Sequence, residues 1–302
     1  MTEFLIGAVA VLAVLALIQI VYLRGPHLDA FDRATGERHG AGQPPSAEHQ
    51  AVVASLGGIS GALKNLPRRQ HLAWLRRYMD TAFPVDDPAL RIIPADAGGV
   101  RAEWVLAPNA DPQRRLLYIH GGAWTMGSPT SHRRLTAKFS EVANAAVLAI
   151  DYRLMPEHPR LAGIEDCRTA YRWMLDHGPE GASPANALFV AGDSAGGNLT
   201  LSLIAWIRDQ GLRAPNAAVA LSPATDGTLG SPSLESNIET DPMLGPLFKA
   251  LAKVPRTVLL WGGWAQNRMR PSHPVVSPVF GDLSGLPPVL VQVSEAEMLF
   301  DD

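Results

Sequence analysis

The chain has 302 residues, 47% of them hydrophobic and 18% charged, with a formal net charge of -3. That is room for one large α/β domain with an appendage, and a balance that gives no reason to expect a nucleic-acid partner. A single cysteine, Cys167, excludes an internal disulfide, and with no HExxH, P-loop or dinucleotide fingerprint no metal or cofactor is expected.

Residues 4–23, "FLIGAVAVLAVLALIQIVYL", form an apolar run with Gln19 as its one strongly polar member. At roughly 1.5 Å per residue, about 20 such residues span a hydrocarbon core of about 30 Å. A cleaved signal would show a basic start and a small-residue cleavage site, and "MTE" and "YLRGP" supply neither. The run therefore reads as an uncleaved single-pass anchor, residues 1–24. Arg24, Arg33 and Arg38 follow it and no basic residue precedes it, which puts the large domain on the cytoplasmic side.

Residues 34–49 are rich in Gly, Pro and polar side chains and read as linker. Residues 67–80 predict a helix with Leu72, Leu75, Tyr78 and Met79 on one face and Arg69, Arg76 and Arg77 to one side. The apolar face is expected to pack over the main domain. From residue 90 strands and helices alternate, with strands at 90–95, 101–108, 115–119, 145–150, 187–192, 217–222 and 287–293. Helices are predicted over 131–143, 162–177 and 195–210, and a long irregular connection over 222–247. Unbroken apolar strands between helices imply a mostly parallel, doubly wound sheet covered on both faces.

Ser194 stands in "GDSAGG", where an apolar strand ends and a helix begins. Gly192 and Gly196 remove the Cβ atoms that would crowd a sharp turn there, so the hydroxyl projects above the sheet as a nucleophile. The amides opening the next helix favour negative charge. "HGGAW" (120–124) follows the strand 115–119. Its glycines let backbone amides approach a developing oxyanion, so Gly121, Gly122 and Ala195 are the predicted donors. His120 on the same loop is read as structural, as are Asp193, Gly192 and Gly196.

"HGGAW", "DYRLMPEHP" (151–159), "GDSAGGNL" (192–199) and "SPVFGDLSGLPPVLVQV" (277–293) together resemble the hormone-sensitive-lipase family of α/β-hydrolases. The resemblance covers residues 90–302 and implies an α/β-hydrolase domain over 89–302. A linker and N-terminal helical cap would occupy 25–88. It implies a serine carboxylesterase or lipase acting through an acyl-enzyme on small or medium apolar acyl esters, with no cofactor. The family's usual HGGG has Ala123 at its fourth position here. The usual "APEHPFPA" reads "MPEHPRLA", a change expected to alter surface alone, and His158 belongs to that structural turn.

In the resemblance Glu297 takes the place of the family's acid, with Asp301 and Glu295 as near rivals. The family's histidine follows the acid by one further strand, and none of the nine histidines here follows Glu297. His273 precedes the last strand and is a poor substitute. Two expectations follow: a chain that lacks the last strand, helix and triad histidine and is impaired alone, or a non-catalytic small-molecule-binding protein on the same fold. The plant gibberellin receptors, which resemble the family without its histidine, illustrate the second.

Overall fold

The computed structural model describes residues 2–28, 36–40, 42–249 and 251–302. Arg33 and parts of the expected linker lie outside them. The central sheet has seven strands among the described residues: β1 Arg91–Asp96, β2 Arg101–Leu106, β3 Asp111–Ile119, β4 Ala145–Ile150, β5 Ala187–Asp193, β6 Ala217–Leu221 and β7 Val289–Gln292. Their spatial order is β1-β2-β4-β3-β5-β6-β7. β1 and β2 pair antiparallel, β2 joins β4 antiparallel, and every later pairing is parallel.

β4 is apolar throughout because helices cover both faces of the sheet. Every residue of β4 is buried. Along β3 the side chains alternate: Leu116 and Tyr118 enter one core layer with Val147, against Ala137 and Phe139 of helix α4 (Arg133–Ala143). Leu117 and Ile119 enter the other, with Tyr171 and Met174 of α5 (Arg160–Asp176) and Leu199 and Ile204 of α6 (Ala195–Asp209). This period of two sends alternate side chains to the two helical layers, while the shared direction of β3 and β5 brings the loops that follow them to the same edge.

The amino-terminal helix α1, Thr2–Ile18, continues as a π-helical turn, Gln19–Leu23. Among the described residues one helix, Phe4–Leu23, is long and apolar enough to cross a membrane, with 6% of it buried in the protein. Its far end is anchored: Leu23 is fully buried and Gln19 Nε2 donates to Thr257 Oγ1 at 3.0 Å. The first three residues of α2 (Ala47–Lys64) lie inside the expected linker, with the Ser46 hydroxyl capping the His49 amide.

α3 (Arg68–Ala82) forms where a helix is predicted, and the expected apolar face, Leu72, Leu75, Tyr78 and Met79, is half-buried, with no residue of the helix fully buried. It is also held by Arg76, whose guanidinium donates to the carbonyls of Thr125 (2.8 Å) and Met155 (3.1 Å) and forks onto Glu157, and by Asp80, which accepts from the Ser128 hydroxyl. The connection after β6 is less irregular than predicted. It contains short helices at Ser233–Ser236 and Leu244–Phe248, and beyond it an unpredicted helix, α7 (Arg256–Asn267).

Candidate active site

β5 delivers the chain to Ser194 at the carboxyl edge of the sheet, and α6 begins one residue later. Ser194 has φ +52° and ψ -117°, a conformation costly for a residue with a side chain and a mark of functional sites. The surroundings over-determine it. Its N–H donates to the Leu221 carbonyl at 2.8 Å, and its own carbonyl accepts from Ala224 (3.1 Å) and Asn198 (3.0 Å). A Cβ on Gly196 would overlap the Ile119 carbonyl, and one on Gly192 would strike the backbone of Gly196. The turn closes only because both positions are glycine.

Across the sheet edge, residues 120–128 form a loop fixed by His120. That ring is buried, stacks on Tyr152 with centroids 4.3 Å apart, and binds the Gly121 carbonyl through Nδ1 at 2.8 Å. The Tyr152 hydroxyl donates to the His120 carbonyl at 2.9 Å. Burial, reinforced by the neighbouring His132, pushes the His120 pKa down to about 3, so the ring is neutral at ordinary pH. Its Nε2 has no partner among the described residues.

Asp193 links this loop to the elbow. Its Oδ1 accepts from the Tyr118 hydroxyl at 2.7 Å and from the Gly121 amide at 3.0 Å, while Oδ2 faces His132 Nε2 at 3.3 Å. Burial alone would raise the Asp193 pKa, but the bonds and charge of His132 and the Tyr118 hydroxyl hold it below the usual carboxylate range. Burial would likewise lower His132, yet Asp193 and the Ser128 carbonyl leave it raised. Tyr118 and His132 carry no sequence signature. Only the fold brings them to the residue beside the nucleophile.

The Gly121 bond corrects one expectation. Its amide is engaged by Asp193, so it does not face a reacting carbonyl. Among the described residues the amides of Gly122 and Ala123 donate to nothing. The Ala195 amide, first in α6, has no carbonyl one turn back to bond. Gly122 (φ +116°) and Ala123 (φ +53°) turn through the left-handed region.

A second correction concerns Arg160, which is not a surface residue. It is 5% exposed, its guanidinium carbon lies 3.7 Å from the Trp124 ring centroid, and Nη2 donates to Asn198 Oδ1 and the Val276 carbonyl, both at 3.1 Å. Burial without an opposing carboxylate lowers its pKa to about 9.

The three acidic candidates separate. Glu295 pairs with Arg38 at 2.8 Å on the exterior. Asp301 accepts from the Ser233 amide at 2.9 Å, at the start of a short helix. The half-buried Glu297 lies near Ser222, the residue after β6, and burial raises its pKa despite that neighbour. None of the nine histidines, all within the described residues, hydrogen-bonds to Ser194 or Glu297; His273, for example, accepts through Nδ1 from the Val275 amide at 3.2 Å. Among the described residues no group of three or more His, Cys, Asp or Glu side chains could hold a metal ion.

A strained serine between a parallel strand and a helix, facing a loop with free amides, defines the nucleophile elbow of an α/β-hydrolase fold. Comparison with known proteins agrees: the family profile for the alpha/beta hydrolase fold matches residues 116–302. An acetyl-hydrolase of Streptomyces hygroscopicus is 39% identical over 205 residues, 68% of this chain and 64% of that protein. An esterase of Acinetobacter venetianus is 36% identical over 220 residues, 73% of this chain and 68% of its own. Among solved structures, an esterase from the bacterial hormone-sensitive lipase family superposes with a TM-score of 0.69 at 33% identity, covering 86% of this chain and 82% of that one. The chain belongs to the α/β-hydrolase family, in its hormone-sensitive-lipase-like branch. It spans less than two thirds of the length of the Streptomyces relative.

Proposed function

We propose that this chain carries the acylation machinery of a membrane-anchored serine carboxylester hydrolase. The observation that carries the reading is Ser194, held at φ +52° at the end of β5 opposite the free amides of Gly122 and Ala123. In the proposed reaction Ser194 Oγ attacks the ester carbonyl carbon, and the amides of Gly122, Ala123 and Ala195 bind the oxyanion. The alcohol leaves with a proton supplied by the base, and water releases the acid from the acyl-enzyme. Glu297 would orient that base, a histidine. Small or medium apolar acyl esters are the proposed substrates.

Residues 1–302 place no histidine against Ser194. Loss of a triad histidine lowers kcat by about a million-fold, roughly 8 kcal/mol. The chain alone is therefore proposed to turn over slowly. That same feature favours the second reading, a small-molecule-binding protein on a hydrolase fold. Residues 1–24 are proposed to anchor the chain in a membrane once, with the domain of residues 89–302 on the cytoplasmic side and α2 and α3 (within 25–88) forming the cap.

Hydrolysis of p-nitrophenyl butyrate by the chain in detergent, beside its Ser194→Ala variant, tests the proposal. A small serine-dependent rate is expected. Equal rates in the two proteins would overturn the hydrolase reading in favour of binding. Serine-dependent turnover at ordinary enzyme rates would show that one of the nine histidines serves as base.

A further inference from the structure

The base of the apolar helix is built differently from its shaft. Up to Ile18 the helix is bare: Phe4 is 83% exposed and Leu17 61%. From Gln19 onward it is bound to α7. The Gln19–Thr257 bond fixes the contact, Leu23 is buried, and a Cβ on Gly25 would meet Ser272 and Phe280. In α7, Thr257, Trp261 and Trp264 fall at i, i+4 and i+7, on one helical face. Leu260 points into the domain, fully buried, whereas Trp264 and Val258 stand open to the surroundings. Trp261 and Trp264 meet edge to face at 5.8 Å.

Every charged residue from Lys253 to Arg270 is basic. α7 contains no acidic residue, and Arg268 and Arg270 follow it. Arg270 lies over the Tyr22 ring at 5.9 Å, and Arg256, whose pKa is lowered chiefly by burial, faces Asp226 as well as Arg24. Trp and Tyr rings beside arginines are the composition that settles at the boundary between lipid tails and headgroups.

Length gives an independent argument. The undocked apolar part of the helix is Phe4–Ile18, the 20-residue span less the five residues Gln19–Leu23, about 22 Å at helical rise. A hydrocarbon core is about 30 Å thick. The shaft reaches across only if its docked base, and α7 with it, is drawn down to the level of the headgroups.

We infer that α7 is an interfacial helix, lying in the headgroup layer of the bilayer entered by α1 with Trp261 and Trp264 turned to the lipid and the adjoining arginines to anionic headgroups. The inference rests on the reading of residues 1–24 as an anchor. Its consequence for the site is direct. Gln266 of α7 reaches Met155 Sδ at 3.9 Å, and the Met155 amide donates to the Trp124 carbonyl of the oxyanion loop at 2.8 Å. The cap segment beside that loop would then face the membrane, so ester substrates would arrive dissolved in lipid.

The test uses the full chain reconstituted in vesicles of phosphatidylcholine and phosphatidylglycerol carrying bromine at a shallow acyl position. Flotation reports anchoring and quenching of tryptophan fluorescence reports depth. We expect the chain to float, and the quenched fluorescence to fall at least roughly twofold in Trp261→Phe/Trp264→Phe. The single change Trp264→Phe, at an exposed site, guards against loss of folding and should show part of the same fall. A chain that floats with quenching unchanged in both variants overturns the interfacial helix and leaves the anchor standing. A chain that does not float overturns the anchor, and the interfacial helix with it.

Discussion

The guanidinium of Arg160 lies flat against Trp124, 3.7 Å from its ring centroid, and ties the oxyanion loop to Asn198 on the helix of the nucleophile. This cation is buried with no carboxylate beside it, and its Nε is unbonded among the described residues. A stacked aromatic face and two acceptors offset part of the desolvation, but not the several kcal/mol a buried ion costs.

Arg160→Phe should therefore fold at least as stably as the parent. It would leave Asn198 Oδ1 unbonded, a cost of about 1–3 kcal/mol, while removing the larger penalty of the charge. Arg160→Ala adds a cavity under Trp124 and should lose about 2–4 kcal/mol. Urea denaturation of the three proteins decides; a phenylalanine variant as unstable as the alanine one would mean that the charge itself is needed.

Two glycine substitutions should move stability in opposite directions. Gly196→Ala places a methyl group against the Ile119 and His120 backbone and should cost several kcal/mol, about 2–4, because backbone cannot step aside. Gly262→Ala, inside α7 with nothing within 4 Å, should gain about 0.5–1 kcal/mol from helix propensity. Thermal melts of both in detergent would check the pair.

His132 gives a pH signature. Its folded pKa is raised above the unfolded value, so its stabilisation is complete below about pH 6.5 and is lost as pH climbs through the folded pKa. His132→Gln should be less stable than the parent by about 1.5–3 kcal/mol below that pH, the value of a bond to a charged group. The gap should narrow toward alkaline pH. A gap that stayed constant from pH 5 to 9 would mean that the His132–Asp193 contact carries no charge.

Residues with one dominant environment were readable in advance. Residues 145–150 form a strand over the whole predicted stretch because all six side chains are buried and nothing else competes. The elbow at Ser194 was legible since glycine is required on both sides. β3 starts at Asp111 rather than 115, its polar opening residues being only partly covered. α7 escaped notice because "WGGW" breaks helix propensity, and its formation depends on Leu260 entering the core and Thr257 meeting Gln19. Arg160 looked like a surface residue for want of any local clue to Trp124. The Gly121 amide could not be assigned without knowing where the Asp193 carboxylate turns. In each of these last cases the deciding partner lies far along the chain.

α3 sits over the oxyanion loop without a fully buried residue, tied to it by the polar contacts of Arg76 and Asp80. An element with a half-buried face and few such contacts detaches at a free-energy cost well below that of global unfolding. Its amide protons should therefore exchange with solvent through local opening, long before those of α6, whose helix is lined by buried residues from Ala195 to Ile207. The roof of the site and its floor would keep different clocks.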